Sequence, residues 1–232
     1  MKPFVIVHMM PSLDGRLRTE RWDVSAAGDA EYDRTANTYR PDAWLVGRVT
    51  MEEFANGRWK APAKRAEKIA RADWVAPKLG ERYAVALDSA GKLAWKESTT
   101  EGDSVIVALS EAVPNAYLAY LRERGVSYLF AAKRAGELNL RTVVTKLREK
   151  WGVRRLLVEG GGKTTGAFLA AGLVDEISLL LTPVADGRMD EPSLFDTVGH
   201  RGPKALTKVR IASVRPARAG MWWLKARPLN RQ

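Results

Sequence analysis

The 232-residue chain has no cysteine and only two histidines, His8 and His200. The missing thiols exclude disulfides, thiolate metal sites and a cysteine nucleophile. Two histidines so far apart cannot make a zinc site of the usual kind, so no metal is expected. Long apolar runs are also missing, and no stretch approaches the roughly 18 residues of a membrane span. The opening MKPFVIVHMM is too short for a signal-peptide core and reads as a first strand, which makes the cytoplasm the expected location. No internal repeat or low-complexity tract is present. What remains, 46% hydrophobic and 28% charged, is the balance of an ordinary globular protein. A chain of this length buries one full core, so a single domain over residues 1–232 is expected.

Acidic charge is scarce. Thirty-eight Lys and Arg against 27 Asp and Glu leave a net charge of +11. The cations are spread along the whole chain, with no dense basic run and no recognisable nucleic-acid module, so a nucleic-acid partner is not expected. Attraction of phosphorylated cofactors and substrates, and a solvated basic surface with no specific partner, both stay open.

The apolar runs FVIVHMM, DAWLVG, YAVALD, SVIVAL, VSYLFA, VRRLLVEG and EISLLLTPV are short, rich in Val, Ile and Leu, and bounded by Gly, Pro or Asp. Near-continuous apolarity over such lengths suits strands covered on both faces. Helical patterns lie between them at 28–40, 139–151 and 164–172. The second starts at a good cap, Asn139, carries Leu140, Val143, Val144, Leu147 and Trp151 on one face, and stops at Gly152. For the third, Thr164 is the expected cap and Gly172 the stop. Strands alternating with helices imply an α/β fold with a mostly parallel sheet flanked by helices. LTKVRIASV and AGMWWLKAR near the end read instead as an antiparallel hairpin. Residues 57–80, rich in Lys, Arg, Ala and Pro, read as an excursion of loop plus helix outside the sheet.

The stretch LLVEGGGKTTGAFLAAG, Leu156 to Gly172, sets three glycines between a strand and a helix. Amides at such a turn bind anions, because unpaired N–H groups and the helix dipole point at the ligand. A Walker A loop would need glycine at Leu157. A Rossmann fingerprint would need Gly or Ala at Thr165, and it belongs on a first strand rather than a sixth.

VEGGGKTTGAFLAAGLVDEISLLLTPVADG resembles the carboxy-terminal reductase domain of bifunctional riboflavin-biosynthesis proteins, within the dihydrofolate-reductase-like superfamily. MPSLDGRL, with Ser12, Asp14 and Gly15, is similar to the turn after the first strand of the pyrimidine reductases. DAWLVGRVTMEEF, with Gly47, Arg48 and Thr50, is similar to a glycine-arginine-x-threonine segment shared across the superfamily, and Ala86 to Ser89 (ALDS) follow a middle strand in the same way. The blocks fall in order over about residues 3–187.

The resemblance implies a dihydrofolate-reductase-like fold, NADPH as cofactor and a homodimer. Its cofactor lies between two helix starts at the sheet's carboxyl edge. Gly47 would allow close approach there, Thr50 would donate its hydroxyl and cap a helix, and Arg48 would fork the 2′-phosphate that separates NADPH from NADH. Gly160, Gly161 and Gly162 would offer amides to the pyrophosphate, Thr164 and Thr165 hydroxyls, and Lys163 a point charge. Asp14 would face substrate and relay a proton, with Ser12 and Trp22 contacting the same ligand. In dihydrofolate reductases the substrate carboxylate sits on the first helix, which here carries Asp29, Glu31 and Asp33; nothing in the sequence singles one out. Glu159 is expected to be held near backbone amides, and His8, inside an apolar strand, to be a satisfied core histidine.

The implied substrate is a pyrimidine- or pterin-type heterocycle, with or without a phosphate, with 5-amino-6-(5-phosphoribosylamino)uracil ahead of dihydrofolate. The family's amino-terminal zinc deaminase signature is missing, and residues 16–27 depart from the family's usual loop. A dihydrofolate-reductase-like paralogue and a non-catalytic nucleotide- or nucleic-acid-binding module on the same fold therefore stay open.

Overall fold

The computed structural model describes residues 1–62, 67–134, 136–197 and 206–229. In chain order its elements are β1 (Phe4–Met9), α1 (Ala26–Asn37), β2 (Ala43–Gly47), α2 (Arg48–Met51), β3 (Tyr83–Leu87), β4 (Thr99–Thr100), β5 (Asp103–Leu109), α3 (Asn115–Glu123) and β6 (Ser127–Phe130). They continue with β7 (Ala132–Arg134), β8 (Glu137–Leu138), α4 (Leu140–Lys150), β9 (Arg155–Val158), α5 (Gly162–Ala170), β10 (Glu176–Leu181), β11 (Val209–Pro216) and β12 (Trp222–Pro228). They gather into two compact units, a central one of Asp42–Arg154 with Met1–Pro3 and a terminal one of Phe4–Pro41 with Arg155–Gln232. The fold is α/β, mostly parallel, with antiparallel strands at the C-terminus.

In the central unit β2, β3, β5 and β6 pair in parallel, and β4 turns back antiparallel onto the start of β5. All seven residues of β5 are buried, which explains its unbroken apolar sequence. Helix α3 was not read from the sequence, although Pro114 precedes it and Tyr117, Leu118 and Leu121 form a buried helical stripe. Helix α4 is as expected: the Asn139 side chain accepts from Thr142 N at 3.2 Å, and Gly152 takes φ +69° just beyond its end. The described part of 57–80 has no helix or strand, only isolated bridges at Arg58 and Trp74.

In the terminal unit β1 lies between β9 and β10, parallel to both, and β12 pairs antiparallel with β10 and β11. Val5, Ile6 and Val7 are fully buried at the centre of this unit. Helix α1 starts after Ser25 and stops at Asn37, earlier than expected, because Arg40 takes φ +46°, which a right-handed helix cannot continue. Helix α5 starts two residues before the expected cap. Gly161 takes φ +64° and occupies the N-cap position itself, so no side-chain cap is used.

Candidate active site

Two loops of the terminal unit are stapled together at the ends of β1 and β10. The chain leaving β1 turns at Ser12 to Arg16, where the Ser12 hydroxyl accepts from Arg16 N at 2.8 Å and donates to Asp14 at 2.6 Å. The Asp14 carboxylate also accepts the amides of Asp186 and Gly187, at 2.9 and 2.8 Å. These donors, the Ser12 hydroxyl foremost, hold its pKa down at about 2. Trp22, 5% exposed, donates its indole N–H to Asp186 at 2.6 Å. Asp186 is in turn gripped by the Arg188 guanidinium, which keeps its carboxyl well below the usual range. Arg188 reaches on to Glu191 and the Arg18 carbonyl, and Leu194 N donates to Gly15 O at 3.0 Å.

This weave gives Ser12, Asp14 and Trp22 partners within the protein. Asp186 and Arg188, which complete it, were not expected. Their signal in the sequence is an Asp-Gly-Arg turn that only the facing loop makes meaningful.

The stapled loop walls a cavity of about 250 Å³ lined by Met9, Met10, Leu17, Thr19, Asp29, Tyr32, Asp33 and Glu159. Met9 and Met10 close the end of β1, Leu17 and Thr19 come from the stapled loop, Glu159 follows β9, and α1 supplies Asp29, Tyr32 and Asp33. Asp29, Tyr32 and Asp33 stand at i, i+3 and i+4, one face of that helix. That spacing was available in the sequence, but Tyr32 was not read with the two carboxylates. Glu31 points elsewhere. Arg34 pairs with it at 2.6 Å and depresses its pKa. The Tyr32 hydroxyl donates toward Glu159 at 3.1 Å and lies 3.2 Å from the His8 carbonyl. Burial, with Glu159 beside it, raises its pKa well above the ordinary value.

Behind the cavity, His8 is fully buried and satisfied, as expected. Its Nδ1 lies 3.0 Å from Ser178 Oγ and its Nε2 3.3 Å from Tyr32 O. Trp223 N–H donates to the same Ser178 Oγ at 2.8 Å. The serine proton is thereby free to go to Nδ1, leaving Nε2–H to donate to Tyr32 O. Burial, more than any neighbour, lowers the His8 pKa to about 4. His200 lies outside the described residues.

The glycine turn after β9 has two jobs. Among the described residues no backbone carbonyl accepts from Gly162 N or Lys163 N, the first amides of α5. Lys163 is exposed and Thr164 half-buried. Gly160 and Gly162 are buried. A Cβ on Gly162 would stand 1.9 Å from Ser193 O, and one on Gly166 2.3 Å from Asp196 O, so these glycines let the 193–196 loop lie against the helix. Thr165 is fully buried, and its hydroxyl reaches Leu194 O at 2.5 Å and Gly162 O at 3.0 Å. Its hydroxyl therefore serves this loop contact.

In the central unit, Gly47 caps α2 with ordinary extended backbone and Arg48 is the helix's first residue. Thr50 is its third residue and does not cap it. Arg48 donates to Glu52 one turn on, and Glu52 also takes Arg58. Asp88, after β3, is fully buried. Its Oδ2 accepts from Lys92 N and Leu93 N, its Oδ1 has no partner among the described residues, and burial raises its pKa.

No helix among the described residues is long and apolar enough to cross a membrane, and none of them forms a His, Cys, Asp or Glu cluster able to hold a metal. The family model described as RibD C-terminal domain matches residues 3–222. A protein of Methanothermobacter thermautotrophicus named 2,5-diamino-6-ribosylamino-4(3H)-pyrimidinone 5′-phosphate reductase is 27% identical over 202 residues, covering 86% of each chain. A protein of the same name from Archaeoglobus fulgidus is 27% identical over 217 residues, covering 92% of this chain and 93% of its own. The Acinetobacter baumannii RibD structure superposes with a TM-score of 0.64 at 16% identity, over 98% of this chain. This chain spans 58% of that protein.

Proposed function

Because the chain belongs to the RibD C-terminal domain family, we propose that it is an NADPH-dependent reductase of a ribosylaminopyrimidine 5′-phosphate. The cavity on α1 carries this reading. At about 250 Å³ it lies just below the roughly 300–1,000 Å³ of ligand sites, and suits one heterocyclic ring better than a fused ring with a long tail. Named relatives that are reductases of such a compound support the substrate class.

The residues present fit a nicotinamide dinucleotide. The amides of Gly162 and Lys163, which no backbone carbonyl of the described residues accepts, the amides of Gly160 and Gly161, and the Thr164 hydroxyl suit its pyrophosphate. In the central unit, taken by itself, Arg48 and Thr50 beside Gly47 suit a phosphate such as the 2′-phosphate of NADPH. When bound, the cofactor would supply a hydride to the ribosyl carbon bonded to the amino nitrogen, the bond from that carbon to the ribose ring oxygen breaking and the released oxygen taking up one proton. The protein orients the ring, keeps water from the reacting carbon and holds the proton nearby. Met9, Met10 and Leu17 provide the apolar wall, while Asp29, Asp33 and Glu159 are the carboxyl groups that line the cavity. Asp14, Ser12 and Trp22 serve by holding the loop that carries Leu17 and Thr19 in place.

We place the protein in the cytoplasm as a homodimer. The exposed Val209, Ile211, Val214 and Trp222 of the terminal hairpin suit a self-complementary surface. Sedimentation velocity tests the dimer. Thermal melting tests the cofactor: NADPH should raise the Tm more than NADH does, and turnover should follow with a ribosylaminopyrimidine phosphate. No shift with either nucleotide would remove the cofactor assignment.

A further inference from the structure

Three times in the chain glycine follows an aspartate or asparagine: Asp14-Gly15, Asn56-Gly57 and Asp186-Gly187. Such pairs are prone to ring closure, because no Cβ shields the glycine nitrogen from the carbonyl carbon of the preceding side chain. The three are alike in backbone and in space. Their glycines take φ +81°, +78° and +73°, and a Cβ on any of them would meet nothing within 4 Å. The nitrogens differ. Gly15 N donates to Ser12 O at 2.9 Å, and Gly187 N donates to Asp14 Oδ2 at 2.8 Å. Gly57 N–H has no hydrogen-bond acceptor among the described residues. The side chains differ in the same sense. Asp14 is committed to two amides, and Asp186 to Arg188 and Trp22, which keeps both ionised, and a carboxylate is a poor electrophile. Asn56 carries a neutral amide, is exposed, and lines a surface cavity of about 210 Å³ with Lys96 and Glu97. Its side chain forms no hydrogen bond among the described residues.

From this contrast we infer that Asn56 is a site of spontaneous covalent modification, turning into aspartyl and isoaspartyl residues, while the two Asp-Gly pairs of the stapled loops are held inert. Gly57 N gives up its proton and bonds to Asn56 Cγ. The Cγ–Nδ2 bond breaks, and that nitrogen leaves as ammonia with the proton. The resulting cyclic imide then takes up one water. Opening at Cγ restores the ordinary main chain with an aspartate at 56. Opening at the backbone carbonyl leaves the main chain running through Cβ and Cγ, one atom longer. Water is the only co-reactant, and either product puts a negative charge where a neutral side chain stood.

The two products are not equivalent in this fold. Asn56 N donates to Ala94 O at 2.9 Å, and Ala94 N donates to Gly57 O at 3.0 Å, a clasp closed across the Asn56–Gly57 bond. Aspartate keeps both hydrogen bonds. The isoaspartyl isomer inserts an atom between the two groups that make them, so the clasp loses its register and a backbone group its partner.

The test is incubation of the whole protein at mildly alkaline pH, folded and in urea, with peptide mapping and isoaspartyl methyltransferase labelling. Each site is compared with itself, its rate in urea over its rate in the fold, which removes the intrinsic difference between asparagine and aspartate. That ratio should stay within about threefold of unity at Asn56, whose nitrogen is already free. At Asp14 and Asp186 it should reach about tenfold or more, the worth of one amide held by its acceptor. Equal protection at all three sites, or no product at Asn56 in the folded protein, overturns the inference. Asn56→Gln, which would have to close a larger ring, should lose the label at 56 and leave the ratios at 14 and 186 unchanged. Label persisting at 56 in that variant counts against the mechanism. After separation by ion exchange, the isoaspartyl form should melt below the aspartyl form, and identical Tm values would overturn the role given to the clasp.

Discussion

Alanine at Gly162 puts the stapled loops to the sharpest trial. Its methyl would stand 1.9 Å from Ser193 O and 2.6 Å from an Asp196 carboxylate oxygen. The first of these is backbone and cannot swing aside as a side-chain tip can. Restoring ordinary contact needs a movement of about 1.5 Å in the 193–196 loop. Three hydrogen bonds span that gap or depend on it: Asp196 N to Gly162 O, Thr165 Oγ1 to Leu194 O, and Leu194 N to Gly15 O. At about 1 kcal/mol each, their loss comes to about 3 kcal/mol. For a protein of this size that is a fall in Tm of about 6–12 °C. Because Leu194 holds Gly15, and Gly15 belongs to the loop carrying Leu17 and Thr19, substrate KM should rise as well. Gly172→Ala is the control. It sits at φ +65° in open space, so it should cost only the left-handed strain of about 1–2 kcal/mol and leave KM alone. Calorimetric melting and steady-state kinetics on the two variants decide the matter. A Gly162→Ala protein that melts no lower than Gly172→Ala would refute the packing role.

His8 predicts a pH dependence. Its pKa is about 4 in the fold against 6.5 in the unfolded chain, so the unfolded state takes up the proton first as pH falls. Its share of stability is present in full above about pH 6.5 and is lost, to about 3 kcal/mol, as pH drops toward 4. Urea titrations of wild type and His8→Gln across that window should show the variant's slope flattened, and parallel slopes would contradict it. Asp186→Asn should loosen Arg188 and Trp22 together, raising substrate KM severalfold with a smaller change in kcat. An equal fall in kcat with unaltered KM would count against a loop-holding role. Arg48→Ala should cut the preference for NADPH over NADH by roughly tenfold or more, the worth of a charge-assisted hydrogen bond. An unchanged ratio would take Arg48 out of the cofactor site.

Local pattern alone determined the longer strands and most of the helices, but not the short β4, β7 and β8. Buried parallel strands such as SVIVAL declare themselves by unbroken apolarity, because both faces are covered. Asn139 and Gly152 bracket α4 through chemistry that acts within one turn. The likeness to the riboflavin-pathway reductases was also readable, since its motifs are short contiguous strings. Tertiary structure alone decided which polar groups are spent and which are available. Asp14 and Trp22 stood out in the sequence, but their partners Asp186 and Gly187 lie more than 160 residues away. Of three first-helix carboxylates equivalent in sequence, Glu31 turns to Arg34, while Asp29 and Asp33 meet Glu159 around the cavity. A hydrogen bond is settled within about 3 Å in space, and separation along the chain carries no record of it.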